Sequence, residues 1–206
     1  RSPQQMFASV IKKYYAEDHG LKTEDIFSVS VMPCSAKKFE AQREEFSTNG
    51  HLDTDVVITT HELAKMIRAY GLDFHNLPDG EWEKPYGEST GAGVIFGASG
   101  GVAEAALRTA YKALTGEELE RDVWETAAAG VSHRETAVTI NGTEIRIATV
   151  NGMAAAERLI AEIKENKKKY HLVEVMACPG GCIGGAGNVA HDTLENRAKR
   201  AKGLAT

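Results

Sequence analysis

Two short apolar runs in this chain end on cysteine, which narrows the possible folds more than any other feature of the sequence. Residues 26 to 32 form a β-branched run that Pro33 breaks, so that Cys34 falls just past its C-terminal end. Residues 171 to 177 form a second run and deliver Cys178 in the same manner. In open α/β sheets ligands bind beyond the carboxyl ends of strands. Both runs are therefore predicted as strands of an α/β fold that place sulfur at a site. Cys182 is the third cysteine and closes the turn Cys178-Pro179-Gly180-Gly181-Cys182. Pro179 fixes one backbone angle of that turn, and its glycines admit conformations closed to other residues.

An odd number of cysteines argues against a closed set of disulfides and for a reducing compartment or a metal. Iron-sulfur ligation suits thiols flanked by small residues, and a cubane 4Fe-4S cluster needs four ligands where this chain offers three. Two plainer readings stand beside it. Free cysteine is often a small buried hydrophobe, and zinc also takes cysteine pairs, with His171 and His191 the candidates near this one. A radical-enzyme CxxxCxxC run fails, because Gly185 occupies its third cysteine position.

The organisation between the cysteines is that of short strands and covering helices. Ser2 caps a helix with Pro3 in its first turn, and Met6, Phe7, Val10, Ile11, Tyr14 and Tyr15 recur at helical spacing until Gly20. A strand follows at residues 55 to 59, and a helix from about Glu62 to Tyr70 ends at Gly71. Residues 74 to 101 carry Pro78, Pro85 and many glycines without a sustained period, which predicts a long functional loop. Residues 103 to 114 are alanine-rich and helical, closed by Gly116, and Asn141-Gly142 between β-branched runs predicts a two-residue hairpin. A dinucleotide motif is absent, because after Gly91 and Gly93 its third glycine would fall on Phe96. The glycines of this stretch are expected instead to let the backbone approach the cluster or the opposite lobe. Trp82 and Trp124 show no cage or stacking pattern.

Composition excludes several classes of function. With 206 residues, 42% hydrophobic and 26% charged, the chain is an ordinary globular protein able to bury a core. A net charge of -5 gives no reason to expect nucleic acid, and the run Lys167-Lys168-Lys169 is predicted as a solvated helix end. No apolar run approaches the roughly 20 residues of a membrane span, and no leader is visible after Arg1. The expected location is cytoplasmic, with the periplasm also open.

Several segments together resemble the iron-iron hydrogenases. Met32-Pro33-Cys34-Ser35-Ala36-Lys37-Lys38-Phe39-Glu40 matches a family signature of the form MPCxxKxxE. Met176-Ala177-Cys178-Pro179-Gly180-Gly181-Cys182 matches a second, MACxxGC followed by glycines. Arg1-Ser2-Pro3-Gln4-Gln5-Met6-Phe7, Gly87-Glu88-Ser89-Thr90-Gly91 and Val94-Ile95-Phe96-Gly97-Ala98-Ser99-Gly100-Gly101 are also similar to family text, in family order. The resemblance covers nearly the whole chain. The family's TSCxPxW signature, with one cluster cysteine and a proton-carrying cysteine, is not in this sequence, and Gly185-Ala186-Gly187-Asn188-Val189 stands where GGGQP is usual.

The resemblance implies that residues 1–206 are the C-terminal portion of a hydrogenase catalytic domain. Its fold would be α/β, a short mostly parallel or mixed sheet covered by helices in one or more lobes, with the cluster at strand ends between lobes. The implied reaction is reversible oxidation of hydrogen to protons and electrons. Its cofactors are a 4Fe-4S cluster and a two-iron subcluster with CO, CN and a dithiolate bridge. Cys34, Cys178 and Cys182 would ligate the cubane, Cys182 bridging to the two-iron site, and Lys37 would aim its ammonium at a cyanide. A buried lysine needs such an anion, or Glu40, to meet it. Met32 and Met176 would pack against the subsite, with Gln4, Ser2 and Phe96 lining the same pocket. Implied partners are a polypeptide or fragment carrying the first signature and an electron-transfer subunit or ferredoxin. The rival readings are a non-catalytic iron-sulfur assembly factor or sensor and a zinc-binding interaction domain.

Overall fold

A computed structural model describes residues 1–87, 91–119 and 132–204. Glu88, Ser89 and Thr90 of the glycine-flanked segment, and Trp124, lie outside the described residues. The chain divides into two compact units, Arg1–Glu88 with Ala186–Ala190, and Ser89–Gly185 with His191–Thr206.

The first unit begins with α1 (Pro3–Val10), capped by the Ser2 hydroxyl, which accepts from the Gln5 backbone N–H. The predicted helix runs on to Asp18, two residues short of Gly20, through a π-helical stretch at Ile11–Tyr15 and then α2 (Ala16–Asp18). Lys12 lies in that wide turn with its side chain buried, and its ammonium meets Asp55 at 2.8 Å. The Asp55 carboxylate also accepts from the Ser28 N–H at 2.6 Å, so the buried cation has a fixed counter-ion. β1 (Val29–Met32) then pairs in parallel with β4 (Val56–Thr59), Met32 opposite Thr59. Between them lie α3 (Ala36–Ala41) and the small hairpin of β2 (Ser47–Thr48) and β3 (His51–Leu52).

α4 (Thr60–Ala69) follows β4 without a loop. Thr59 and Glu62 make a reciprocal capping box, a T-x-x-E pattern that starts the helix two residues before its predicted Glu62. Gly71 takes the left-handed conformation after it, as a helix stop requires.

The second unit corrects the long-loop reading of residues 74 to 101, because α5 (Gly91–Ile95) lies within that range. Gly91 and Gly93 face open space there, so they serve no close backbone approach; Gly101 does, against the Ile95 backbone, while Gly97 is faced by the Leu204 side chain. α6 (Gly101–Thr115) is followed by β5 (His133–Ile140) and β6 (Thr143–Asn151). These strands form an antiparallel hairpin across Asn141 and Gly142, both at positive φ, as predicted. α7 (Met153–Lys164) then crosses over to β7 (Leu172–Met176), which runs parallel to β6.

This mixed sheet has a helix on each face. Ala103 and Leu107 of α6 pack on Val138, Ile140 and Ile147, while Ala155, Ala156 and Leu159 of α7 pack on Ala148 and Val150. β6 is consequently buried on both faces, and Val150 alone contributes about 1.5–3 kcal/mol of burial. The basic C-terminal stretch forms α8 (Leu194–Leu204). None of the described helices is long and apolar enough to cross a membrane.

Candidate metal centre

None of the three cysteines is in a disulfide, all are partly exposed, and each follows the C-terminal end of a parallel strand. In the first unit Cys34 lies two residues past β1, where Pro33 has ended the ladder. The backbone beside it is held by Gly187. The Gly187 N–H donates to the Pro33 carbonyl at 3.1 Å, and its own carbonyl accepts from the His61 N–H at 3.0 Å and the Thr60 hydroxyl at 2.7 Å. A Cβ on Gly187 would lie 2.8 Å from the Cys34 nitrogen and 2.8 Å from the Pro33 carbonyl carbon, so only glycine fits. The replaced segment after Cys182 therefore keeps a close approach beside a cysteine.

Ser2 and Lys37 come together at Glu40. Lys37 forms an i,i+3 ion pair with Glu40, their side chains 26% and 19% exposed. Burial pushes the Glu40 carboxyl up, but hydrogen bonds from Lys37 and Ser2 and the Lys37 charge outweigh it and hold the group below the usual carboxylate range. Lys37 thus has the protein partner that its partly buried position requires.

Gln4 and Met32 share one cleft of about 280 Å³, together with Phe7, Ser28, Ser30 and Thr54. The Gln4 carbonyl accepts from the Ser30 hydroxyl at 3.0 Å. Its Nε2, with Ser28 Oγ and Thr54 Oγ1, is buried without a hydrogen-bond partner among the described residues. Such groups favour a polar occupant over a dry apolar one.

In the second unit Met176, Cys178, Cys182 and the Phe96 segment come together. β7 ends at Met176, and the Cys178–Cys182 turn is closed by the Gly181 N–H to the Cys178 carbonyl at 3.0 Å. Gly180 and Gly181 take φ values of 77° and 87°. The Ser99 N–H donates to the Gly180 carbonyl and the Ile183 N–H to the Gly97 carbonyl, both at 3.0 Å. A Cβ on Gly181 would meet the Ser99 nitrogen at 2.5 Å. The two thiols therefore stand on a turn clamped to the segment that follows Phe96.

Glu174 completes the clamp and was not foreseen. Its carboxylate accepts from the Gly100 N–H at 2.6 Å and the Ala103 N–H at 2.8 Å, capping α6 from the strand that leads to Cys178. A lone carboxylate in an apolar strand was the available signal.

Zinc gains no support from the histidines near the pair. The His171 Nδ1 accepts from the Arg146 N–H at 3.0 Å. Among the described residues neither unit gathers three or more His, Cys, Asp or Glu side chains able to hold an ion by itself.

Cysteines at strand ends, with glycines that leave room for the backbone, form a candidate ligand set on an α/β scaffold. Residues 1–186 match the family model of the iron only hydrogenase large subunit, C-terminal domain, and the chain belongs to that family. Among its relatives is the NADP-reducing hydrogenase subunit HndD of Solidesulfovibrio fructosivorans, 47% identical over 93% of this chain and 32% of the relative. Protein NAR1 of Arabidopsis thaliana is 32% identical over 96% of this chain and 44% of its own length. The solved apo FeFe-hydrogenase of Chlamydomonas reinhardtii superposes with a TM-score of 0.82 at 35% identity, covering 98% of this chain and 58% of that one. The chain thus spans between a third and somewhat over half of the proteins it matches.

Proposed function

We propose that residues 1–206 serve as the C-terminal portion of an iron-iron hydrogenase catalytic domain, converting hydrogen reversibly to protons and electrons. The observation that carries this reading is that Cys34 and the Cys178–Cys182 pair, each within a hydrogenase signature, stand just past the C-terminal ends of parallel strands. The donor set fits an iron-sulfur cluster, since no disulfide engages any of the three cysteines and glycines take up the backbone crowding around them. In this reading the three cysteines would hold one 4Fe-4S cluster as thiolates, and Cys182 would also help to hold a two-iron group bearing CO, CN and a dithiolate. That group, when bound, would supply the cleavage and formation of the H–H bond of dihydrogen.

The chain's own residues bind, orient and exclude water. Lys37 would present its ammonium to a cyanide, and Glu40 holds the lysine in place through their ion pair. Met32 and Met176 exclude water beside their cysteines. Gln4 offers an unpartnered amide N–H as a hydrogen-bond donor, and Ser2 steadies Glu40. Phe96 is held to the thiol turn through Gly97 and Ser99. A segment carrying the TSCxPxW signature, in the same protein or on a partner polypeptide or fragment, would supply the fourth thiolate and the proton-carrying cysteine, and an electron-transfer subunit or ferredoxin would take the electrons.

The test is spectroscopic. After maturation beside that fragment, the wild type is expected to show infrared bands of iron-bound carbonyl and cyanide and to evolve hydrogen. Cys182→Ser is expected to lose both together. Carbonyl and cyanide bands retained in Cys182→Ser would sink the bridging role. A second reading rests on the NAR1 similarity: a cubane-binding assembly relative without the two-iron group. A stable 4Fe-4S signal with no such bands in the matured wild type would favour it.

A further inference from the structure

α8 lies beyond the matched residues 1–186, yet it is seated on the turn that carries Cys178 and Cys182. The Arg200 Nη1 donates to the carbonyl of Ile183, the residue after Cys182, at 2.7 Å. Arg197 packs along the same turn. Its Cδ is 3.4 Å from where a Cβ on Gly180 would stand, and its Nε is 3.4 Å from where one on Gly184 would stand. At the far end of α8, Leu204 closes on Gly97, its Cδ1 3.0 Å from the position of a Cβ there.

The charges on this helix face are ordered. Asp192 holds Arg197 in a bidentate pair, both bonds at 2.6 Å, and Lys199 pairs with Glu195 at 2.7 Å on the solvent side. Arg197, held by Asp192, covers the glycines of the turn. Arg200 brings its guanidinium cation to the backbone beside Cys182.

We infer that Arg200 is a positioning residue that also tunes the redox balance of the iron-sulfur group held by this turn, an inference that rests on the function proposed above. One-electron reduction adds negative charge to a thiolate-ligated cluster. A cation fixed nearby, where water is partly excluded, stabilises the reduced form more than the oxidised form. α8 thereby raises the potential of the cluster while its hydrogen bond holds the Ile183 carbonyl.

The test uses the chain assembled with the signature-bearing fragment, loaded with iron and sulfide and reduced stepwise with dithionite. The cluster's midpoint potential is followed by EPR. Arg200→Gln keeps a donor for the Ile183 carbonyl and removes the charge; it is expected to disfavour reduction by roughly tenfold, about 59 mV for one electron. Arg200→Lys is expected to recover most of the loss. Asp192→Asn, which removes the carboxylate facing Arg197, is expected to shift the potential the opposite way. A wild-type potential in Arg200→Gln, or no recovery in Arg200→Lys, would overturn the inference. Should Arg200→Gln not load, an unmoved potential in Asp192→Asn would do the same. A wild type that takes up no cluster would overturn the functional reading itself, and with it this inference.

Discussion

At Gly187 a single hydrogen atom in place of a methyl group decides whether Cys34 keeps its position. Gly187→Ala would force a carbon to 2.8 Å from two backbone atoms that cannot rotate away, so the strand end must shift. Overpacking of this kind costs about 1–3 kcal/mol. The urea midpoint is expected to fall accordingly, whereas Gly93→Ala, in open space on α5, is expected to leave it level or slightly raised. An equal response from both variants would remove the special role of Gly187. That role was not legible in the sequence, because a glycine's crowding is set by segments far away along the chain. Lys37 was more legible, since its spacing from Cys34 and from Glu40 is local. Lys37→Met leaves Glu40 with the Ser2 hydrogen bonds but no cation, in a partly exposed pair. A loss of about 1 kcal/mol is expected, with a larger loss in assembly of the two-iron site than in cubane loading. Undiminished carbonyl and cyanide bands in that variant would reduce Lys37 to a structural partner.

Helix starts show the same division between local and distant causes. The α4 cap uses residues three apart, and its acid response follows from them. A hydrogen bond from Lys38, then those from the Thr59 backbone and side chain, hold the Glu62 carboxyl down at about 2. A depressed carboxyl stabilises the fold fully above its ordinary value of 4.5 and loses that contribution as pH falls through about 2. The stability gap between wild type and Glu62→Gln is therefore expected to be constant at neutral pH and to close between those limits; a gap that stays constant through the acid range would contradict this. α6 starts differently, on a carboxylate 71 residues or more away along the chain. Glu174→Gln, which loses the charge but keeps one acceptor, is expected to cost about 0.5–2 kcal/mol in denaturant unfolding; an unchanged unfolding midpoint would show that the cap contributes nothing. Strands that end on cysteine, the Asn141-Gly142 hairpin and the Gly71 and Gly116 stops could all be read from neighbours in sequence. α8 could not, since its few apolar residues give it no clear face and its place comes from the turn it covers.

For the whole molecule, the first unit carries a feature that a parallel pair of strands does not normally tolerate. Parallel sheets are usually covered on both faces, and a two-stranded sheet is marginal by itself. Here Val29, Val31 and Val56 remain 52%, 41% and 38% exposed, next to Phe27 at 70%. These residues sit on one face of β1 and β4, because Val29 pairs with Val56 and side chains alternate along a strand. The opposite positions, Val57 and Thr59, are buried. An apolar face left open in this way favours a covering segment, as would the proposed donor set of three thiolates for a cluster that takes four. The fragment bearing the missing cysteine signature meets both needs if its chain lies on this face. Mixed with that fragment under maturation conditions, the protein is expected to gain hydrogen evolution that neither piece shows alone. Val29→Asp with Val31→Asp is expected to abolish the complementation while leaving the Cys178–Cys182 unit folded, as judged by its hydrogen-exchange protection. Full hydrogen turnover by residues 1–206 without any fragment would refute the need for a fourth thiolate from outside them, and complementation that survives both aspartates would place the fragment on another surface.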